Sequence, residues 1–334
     1  MMDPIPADRQ AILAASSGLW EPLRDSQVFI TGGTGFVGSW ILEAFLAANQ
    51  ALGLGARAVV LTRDKDSFRR RRPHLACDSA MSLLGGDGAS CDFPPGRFRY
   101  VIHGASDPAA SLAAAAAQTR RALEFSIACG AERFLLLSSG AVYGAQPADA
   151  AYLCEEDFNR MAMPLSTPYG EAKRQAEALC AEFAARSFQT QIARGFAFTG
   201  PYLPLDSHFA LGNFFGDALA GGPIRLTGDG AVVRSYLYGS DMAVWLWTIL
   251  LRGQSLRPYN VGSEDAITIG NLASRVAEMF GGTVESGREP ARPGLSGSRY
   301  VPSTARARDE LGLKQTIDLE EGLRRMAAWC RLRT

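Results

Sequence analysis

A glycine-rich segment near the N-terminus, residues 27–40 with the sequence QVFITGGTGFVGSW, constrains the fold more than any other part of the chain. The apolar run from Val28 to Ile30 is typical of a buried strand, and apolar residues from Phe36 to Leu46 recur at the spacing of a helix. Three glycines lie between them: Gly32, Gly35 and Gly38. The segment therefore predicts a strand, a tight loop and a helix.

The glycine spacing matches a loop that binds the pyrophosphate of a dinucleotide. Glycine permits positive φ, lets backbone N–H groups approach the pyrophosphate, and lets the helix pack closely on the strand. The N-terminus of the helix also attracts anions. Glycine triplets occur in ordinary turns as well, but here a second apolar run, Ala58 to Leu61, follows at the distance that a βαβ unit requires. We expect the dinucleotide to contact Gly32, Gly35, Phe36, Val37 and Gly38.

The end of the second strand indicates which dinucleotide binds. NAD sites usually carry an acidic side chain there, which bonds the ribose 2′-hydroxyl, whereas a basic side chain accommodates the 2′-phosphate of NADP. This strand ends in Thr62, Arg63 and Asp64, with Arg69 and Arg70 close behind. Arg63 favours NADP, and NAD remains open because Asp64 can take the role of the acidic residue.

The alternation of strands and helices predicts the fold class. The expected elements are strands at 81–84, 99–103 and 134–137 and an alanine-rich helix at 109–129. Gly104 and Ala105 leave room for a ligand after one strand, and another strand delivers Ser139 to the same edge. The pattern is typical of a Rossmann-type α/β fold with a doubly wound parallel sheet, in which ligands bind at the carboxyl ends of the strands.

The clearest helix runs from Thr167 to Arg186, with Thr167 as its cap and Pro168 in its first turn. Tyr169 and Lys173 are four residues apart and project from one face. The helix N-terminus and the ammonium group both favour the phenolate. They are expected to lower the pKa of Tyr169 from the ordinary value near 10 toward that of a general base.

Three motifs together resemble the short-chain dehydrogenase/reductase superfamily, in its extended branch of nucleotide-sugar epimerases, dehydratases and reductases. They are TGGTGFVG at 31–38, SSGAVYG at 138–144 and YGEAK at 169–173, in the order and at the separations of that family. The resemblance covers nearly the whole chain.

The resemblance implies a role for each matching residue. Tyr169 is expected to be the catalytic acid or base, and Lys173 to bond the nicotinamide ribose and lower the pKa of the tyrosine. Ser139 is expected to hydrogen-bond the reacting oxygen of the substrate. Asp87, after the third strand, is expected to contact adenine.

The extended branch adds a smaller, interleaved C-terminal lobe that binds the nucleotide sugar. Two arginines of this chain resemble the phosphate-binding arginines of that lobe: Arg234, in GDGAVVRSYLYGSD, and Arg292, in ARPG. Their guanidinium groups would bind the diphosphate. Each arginine alone would also fit a surface ion pair. The chain is expected to return to the sheet at 258–261. The division that we predict is 1–194 plus about 235–270 for the dinucleotide, and about 195–234 plus 271–334 for the sugar nucleotide.

The sequence also departs from the family at three positions. Many relatives have an asparagine that touches the substrate phosphate where this chain has Ala197. The 4,6-dehydratases carry an Asp-Glu pair where this chain has Gly140 and Ala141, so elimination of water has no evident acid and base.

These observations predict an epimerase that acts on a nucleotide sugar through a 4-keto hexose. The alternative is an NADPH-dependent 4-ketoreductase, which Arg63 favours because only a net reductase gains from NADP. A reductase of small non-sugar carbonyls would have no use for Arg234 and Arg292. A cofactor sensor without activity would not need Ser139 together with Tyr169 and Lys173.

Composition excludes several other classes. The 34 basic and 34 acidic residues cancel, so no overall field attracts nucleic acid or an anionic membrane. The run at 242–251 is too short to cross a bilayer, and the arginines at 69–72 are expected in a solvated helix end or loop. Six dispersed cysteines predict reduced core thiols, and three scattered histidines make a metal site unexpected. The N-terminus shows no secretory pattern, so we expect a cytoplasmic enzyme, and a homodimer.

Overall fold

The computed structural model describes residues 2–105, 111–160, 167–184, 188–207, 209–286 and 298–333. The strands, numbered along the chain, are β1 (Gln27–Thr31), β2 (Arg57–Thr62), β3 (Met81–Gly85), β4 (Tyr100–His103), β5 (Arg133–Ser139), β6 (Gln189–Gly195), β7 (Ala197–Thr199), β8 (Ile224–Leu226), β9 (Val233–Tyr238), β10 (Pro258–Val261), β11 (Ala266–Thr268), β12 (Val284–Ser286) and β13 (Arg299–Tyr300).

The helices are α1 (Ile5–Ala15), α2 (Phe36–Leu52), α3 (Lys65–Arg71), α4 (Pro73–Ala76), α5 (Leu112–Ala128), α6 (Asp157–Arg160), α7 (Pro168–Ala184), α8 (Ala210–Leu219), α9 (Gly239–Arg252), α10 (Ile269–Phe280), α11 (Ala305–Leu311) and α12 (Leu319–Arg331). Short 3₁₀ turns lie at Glu21–Leu23 and Gly140–Tyr143.

Seven strands form one parallel sheet in the order β3-β2-β1-β4-β5-β6-β10. The strand order reverses between β1 and β4, which creates the crevice where such sheets bind ligands. This confirms the predicted Rossmann-type, doubly wound fold. The expected return of the chain at 258–261 is β10, which pairs with β6.

The two faces of the sheet carry separate hydrophobic cores because successive side chains of a strand point to opposite faces. In β1, Val28 and Ile30 pack in a core that includes Trp40 of α2 and Trp247 of α9. Phe29, between them, packs with Phe125 of α5 and with residues of α7. Helices therefore cover both faces, as a sheet of continuous apolar strands requires.

A second, smaller sheet is built from later segments of the chain. In it β9 pairs with β7 and β13 in parallel and with β11 antiparallel, while β8 pairs separately with β12. Between β9 and β11 the chain returns to the large sheet through α9 and β10. The two sheets are therefore interleaved in sequence.

Some local expectations need correction. Among the six unpaired cysteines, Cys77 is exposed and two others are only partly buried, so the prediction of core thiols holds for Cys129, Cys180 and Cys330. In the arginine run, Arg72 is not simply solvated, because its guanidinium lies 4.3 Å from the ring centre of Tyr202. The run at 242–251 lies within α9 and is buried, and no helix in the described ranges has the length and apolarity to span a membrane.

Candidate functional site

The glycine loop after β1 lies directly against the end of β4. Gly32 has a φ of +73°, and a Cβ on it would clash with the backbone of Gly104 and Ala105. Gly104 is equally confined, because its Cβ would lie 2.7 Å from a methyl group of Leu137. The N–H of Ala105 donates to the Thr31 hydroxyl at 3.2 Å. Glycine is thus required at both positions by the approach of two strand ends.

The other glycines of the loop have different roles. A Cβ on Gly38 would clash with the backbone of Gly33, so Gly38 allows α2 to pack on the loop. Gly33 was not singled out from the sequence, and its own Cβ would lie 2.7 Å from Val60 of β2. Gly35 has a φ of −82°, and its nearest neighbour would be 3.6 Å away. Protein contacts therefore do not explain a glycine at position 35.

The N-terminus of α2 fits an anionic group. Gly35 precedes the helix and no side chain caps it, so the first N–H groups of α2 face the loop without a side-chain acceptor. Phe36 and Val37 begin the helix and are partly buried against the main core. Backbone donors and the space beside Gly35 are what the pyrophosphate of a dinucleotide needs.

The end of β2 places the residues expected to select the cofactor. Thr62 is buried, and Arg63 follows as an exposed residue at the edge of the sheet. Asp64 caps α3, because its carboxylate accepts a hydrogen bond from the Ser67 N–H at 2.8 Å. The Asp64 carboxylate therefore already serves as the N-cap of α3. After β3, Asp87 is exposed and accepts a hydrogen bond from the Ala89 N–H at 2.8 Å.

The turn after β5 brings Ser139 and the start of α7 together. Ser139 is the last residue of β5, and its Oγ accepts a hydrogen bond from the Ala141 N–H at 3.2 Å. Helix α7 begins with the predicted cap, since the Thr167 hydroxyl accepts from the Gly170 N–H at 3.2 Å. A Cβ on Gly170 would lie only 2.7 Å from the Ala141 carbonyl oxygen. Gly170, which was not predicted, thus lets Tyr169 approach the Ser139 turn.

Lys173 lies one helical turn after Tyr169, and its side chain is buried. Its Nζ donates to the Leu137 carbonyl at 2.8 Å and lies 5.7 Å from the centre of the Tyr169 ring. Burial lowers the pKa of Lys173 to about 8, and nearby Glu177 opposes that shift. His103, at the end of β4, is fully buried, and burial followed by the Lys173 charge lowers its pKa to about 3, so its imidazole stays neutral.

A buried ion pair anchors α7 to the large sheet. Glu177, one turn after Lys173, accepts two hydrogen bonds from the Arg194 guanidinium, at 3.0 and 2.7 Å, and one from Ser138 at 2.5 Å. Arg194 also donates to the Tyr143 hydroxyl at 2.9 Å. These residues tie α7 to β5 and β6. Glu177 and Arg194 were missed because nothing in a single sequence pairs residues on different elements.

The second sheet brings two further side chains to this edge. The ring of Tyr300, on β13, packs at a tilt against Phe196, with ring centres 4.5 Å apart. Burial raises the pKa of Tyr300, and nearby Ser139 opposes that shift. Tyr169 is close enough to Tyr300 to affect its ionisation. The sequence analysis missed Tyr300, which follows the motif region by a long stretch and belongs to no quoted motif.

Arg234 of β9 is the register partner of Tyr300. Its guanidinium is 5.7 Å from the centre of the Tyr300 ring and donates to the backbone carbonyls of Val233 at 2.8 Å and Ser298 at 3.4 Å. Burial lowers the pKa of Arg234, and no carboxylate in the described segments forms an ion pair with it. This arginine is therefore a partly buried cation whose other contacts are carbonyls and rings. Arg292 lies outside the described residues.

In the described ranges, no group of three or more His, Cys, Asp or Glu side chains is placed to hold a metal ion. The site consists of hydroxyls, one ammonium, one guanidinium and a glycine-rich anion site. This donor set fits proton transfer beside a bound dinucleotide and a second anionic ligand.

Comparison with known proteins agrees with this arrangement. A model of the NAD-dependent epimerase/dehydratase family matches residues 28–262. UDP-glucuronic acid decarboxylase 1 of Arabidopsis thaliana is 26% identical over 318 residues, which cover 90% of this chain and 69% of that relative.

Two solved structures share the fold over almost the whole chain. An epimerase of Methanothermobacter thermautotrophicus has a TM-score of 0.81 at 22% identity, with 96% of each chain covered. The UDP-glucuronic acid 4-epimerase of Bacillus cereus, in complex with UDP-glucuronic acid and NAD, has a TM-score of 0.78 at 19% identity, with 92% of this chain and 100% of that chain covered.

Proposed function

The chain belongs to the NAD-dependent epimerase/dehydratase family, and we propose that it is a nucleotide-sugar epimerase that works through a 4-keto hexose. One observation carries the proposal. Ser139 and Tyr169 both lie close enough to the Tyr300 hydroxyl to affect its pKa, and the guanidinium of Arg234 lies 5.7 Å from the centre of the same Tyr300 ring. Hydroxyls suited to proton transfer thus lie beside a cation suited to a diphosphate, and a nucleotide sugar needs both.

In the proposed reaction Tyr169 moves the proton of the sugar's 4-hydroxyl. It accepts that proton while C4 is oxidised and returns it to the ketone oxygen after the sugar has turned over in the site. Ser139 donates a hydrogen bond to the same oxygen, and Lys173 holds the nicotinamide ribose. The chemistry that a bound nicotinamide dinucleotide supplies is reversible hydride transfer with C4.

The remaining proposed residues bind the two ligands. Those for the dinucleotide are Gly32, Gly35, Phe36, Val37, Gly38, Arg63, Asp87, Gly104 and Ala105, and those for the diphosphate of the sugar nucleotide are Arg234 and Arg292. Because Arg63 follows β2 and Asp64 caps α3, we propose NADP as the preferred dinucleotide. The proposed division of the chain is 1–194 plus about 235–270, and about 195–234 plus 271–334.

Elimination of water is disfavoured by the residues after Ser139. Gly140 and Ala141 supply neither an acid nor a base there. The hydroxyl that lies against Gly140 is the phenol of Tyr300. Decarboxylation depends on the substrate rather than on these residues, because a 4-keto hexuronate is a β-keto acid. The similarity to a UDP-glucuronic acid decarboxylase makes hexuronates necessary members of any substrate panel.

A second candidate is a 4-ketoreductase that uses NADPH. The exposed Arg63 at the edge of the sheet favours it, because an epimerase regenerates its own cofactor and gains nothing from NADP. In a reductase, Tyr169 only returns a proton to the ketone oxygen.

The experiment that tests the proposal incubates the purified protein with UDP-, dTDP-, GDP- and CDP-linked hexoses and hexuronates in the presence of NAD+ or NADP+, and with nucleotide-linked 4-keto sugars in the presence of NADPH. Product analysis by NMR is expected to find a C4 epimer formed without net cofactor consumption. Stoichiometric NADPH oxidation would identify the reductase, and release of CO₂ or a 4-keto-6-deoxy product would identify a decarboxylase or a dehydratase. No turnover of any sugar would contradict the proposal.

We also propose that the enzyme is cytoplasmic and forms homodimers. Helices α5 and α7 pack together and expose small side chains: Ala113, Ala114, Ala117, Ala178 and Ala181. Small residues let helices of two subunits approach closely. Sedimentation velocity is expected to give a dimer, and a monomer at all concentrations would contradict this.

A further inference from the structure

His103 is a buried imidazole that the proposed reaction does not use. It ends β4, directly before Gly104 and Ala105, and it pairs in register with Thr31 of β1. Both of its ring nitrogens lie next to a hydroxyl. The Nδ1 atom is 2.8 Å from the Oγ1 of Thr31, and the Nε2 atom is 3.2 Å from the Oγ1 of Thr119 on α5. The position of the ring proton therefore decides which hydroxyl donates and which accepts.

The two hydroxyls identify the nitrogen that carries the proton. Thr31 accepts from the Ala105 N–H at 3.2 Å. Thr119 donates to the Ala115 carbonyl at 3.2 Å. With the ring proton on Nε2, the ring donates to Thr119, Thr31 donates to the bare Nδ1, and all four contacts are made. With the proton on Nδ1, Thr119 would need two protons, and the Thr31 proton would have no acceptor among these groups.

The ring also has to stay neutral for this arrangement. A doubly protonated imidazole would donate to both hydroxyls and would take the Nδ1 acceptor away from Thr31. Burial, followed by the charge of Lys173, lowers the pKa of His103 to about 3, so the ring is neutral at neutral pH. The contacts and the burial indicate the same form, a neutral imidazole with its proton on Nε2.

This form determines what the Thr31 hydroxyl binds. Because its proton is directed at Nδ1, a lone pair is left for the Ala105 N–H. The Gly104 N–H donates to the Thr31 carbonyl at 3.0 Å, so Thr31 binds two successive N–H groups beyond the end of β4. The same two residues lie against Gly32, whose Cβ would be 2.4 and 2.6 Å from their backbone atoms. His103 and Thr31 thus fix the chain segment that faces the glycine loop.

We propose that His103 is a positioning residue for the dinucleotide, because it orients the Thr31 hydroxyl that holds Gly104 and Ala105 beside the glycine loop. The inference rests on the proposed function, in which Gly104 and Ala105 contact the dinucleotide. Without an acceptor at Nδ1, the Thr31 hydroxyl is free to rotate away from the Ala105 N–H. The dinucleotide then has to order this segment as it binds, and that cost lowers its affinity.

Substitutions at position 103 test the role through dinucleotide affinity, measured by fluorescence titration of the folded proteins. His103→Leu removes both ring nitrogens, and we expect the Kd of the dinucleotide to rise roughly 3- to 10-fold, as for loss of a neutral hydrogen bond. His103→Asn is the conservative variant. Its Oδ1 can replace Nδ1 as the acceptor for Thr31, so its Kd should stay near the wild-type value.

The matched control is Thr190→Val in β6. It removes a buried threonine hydroxyl that has no hydrogen-bond partner in the part of the chain that the structure describes. This variant should bind the dinucleotide like the wild type. If His103→Asn binds as weakly as His103→Leu, the acceptor at Nδ1 is not what the dinucleotide site needs, and the inference fails.

A double-mutant cycle separates positioning from general damage to the core. In a Thr31→Val background, His103→Leu is expected to cause little further loss of affinity, because the hydroxyl that it orients is gone. Equal losses in both backgrounds, or wild-type affinity of His103→Leu, would overturn the inference while leaving the epimerase proposal intact. A wild-type protein that binds neither NAD nor NADP would overturn both.

NMR of the wild-type protein tests the ring form directly, whether or not His103→Leu folds. Proton–nitrogen correlation spectra distinguish a protonated from an unprotonated ring nitrogen, and the His103 signals are those that the spectra of His103→Asn lack. At neutral pH we expect a protonated Nε2 and an unprotonated Nδ1. A proton on Nδ1, or on both nitrogens, would overturn the inference.

Discussion

Arg234 carries the guanidinium group that we propose to bind the diphosphate of the sugar nucleotide. It is partly buried, and burial lowers its pKa, so the protein keeps it in an environment that costs solvation. A diphosphate offers paired acceptors that fit a guanidinium fork, and such charged hydrogen bonds are worth roughly 1.5–3 kcal/mol. A bound anion at Arg234 would offset this cost of burial.

We therefore expect Arg234→Ala to weaken UDP or dTDP binding by roughly 1.5–3 kcal/mol while the affinity for the dinucleotide changes little. Calorimetry with UDP as a minimal ligand measures it. Arg225→Ala, which removes an exposed arginine from β8, is the control and should bind UDP like the wild type. If Arg234→Ala binds UDP as tightly as the wild type, the diphosphate site lies elsewhere.

The buried ammonium group of Lys173 has a cost in folding stability at neutral pH. Its folded-state pKa of about 8 lies below the ordinary 10.5, so the folded protein binds fewer protons than the unfolded chain between these values. Stability therefore rises as pH increases from about 8 to about 10.5, and at neutral pH the buried charge costs free energy. One pKa unit corresponds to about 1.4 kcal/mol.

Lys173→Met is accordingly expected to abolish turnover yet raise the free energy of unfolding of the cofactor-free protein. After subtraction of the lost hydrogen bond to Leu137, the gain at pH 7 should be roughly 2 kcal/mol. Denaturant titrations at several pH values should find the gain shrinking between pH 8 and 10.5. Lys65→Met, at an exposed lysine of α3, should give no such trend. A destabilised Lys173→Met at pH 7 would contradict the burial argument.

At the scale of the element, two glycines of the loop after β1 have different expected roles, one in folding and one in binding the dinucleotide. Gly38 is required by the packing of α2 on Gly33, whereas Gly35 has an ordinary φ and free space around it. We expect Gly38→Ala to destabilise the protein by about 1–3 kcal/mol or more, because the Cβ meets backbone that cannot move aside. Thermal or denaturant unfolding measures this.

Gly35→Ala serves as the partner experiment. It should change the free energy of unfolding by less than about 1 kcal/mol, as expected for a helix N-cap position, and should weaken dinucleotide binding measured by fluorescence titration. If Gly35→Ala binds the cofactor normally, the pyrophosphate does not approach this glycine. If Gly38→Ala is as stable as the wild type, the packing argument for α2 is wrong.

The end of β2 carries the cofactor preference. If Arg63 meets a 2′-phosphate, the protein should bind NADPH more tightly than NADH, and Arg63→Ala should weaken NADPH binding alone. The preference should shrink as ionic strength rises, because exposed charges are screened. Arg57→Ala, at the opposite end of the same strand, is the control. Tighter NADH binding in the wild type, unchanged in the Arg63 variant, would refute the NADP assignment.

Elements were predictable from the sequence where local spacing decides them. The strand, loop and helix of residues 27–40, the Tyr169 and Lys173 pair and the cap at Thr167 all depend on neighbours within a few residues. The approach of Tyr300 to Gly140 depends on β13 pairing with β9, which the sequence does not encode locally. The same holds for the Glu177–Arg194 pair, since its two partners lie on different elements.

At the scale of the whole molecule, the candidate site exists because two sheets meet. The large sheet supplies Ser139 and, through α7, Tyr169 and Lys173, while the second sheet supplies Tyr300 and Arg234. The interleaved chain path, with α9 and β10 returning to the large sheet, joins the two at several points along the sequence. The proposed hydride chemistry at C4 would use both contributions, one for proton transfer and one for placing the sugar.

The most direct test of this account follows the hydrogen at C4. A nucleotide hexose that the panel identifies as a substrate is prepared with deuterium at C4 and converted in ordinary water, with Tyr169→Phe as the inactive control. We predict that the epimeric product keeps its deuterium at C4, because the hydride leaves and returns within one site. Replacement of that deuterium by solvent hydrogen, or inversion at a carbon other than C4, would contradict the 4-keto mechanism.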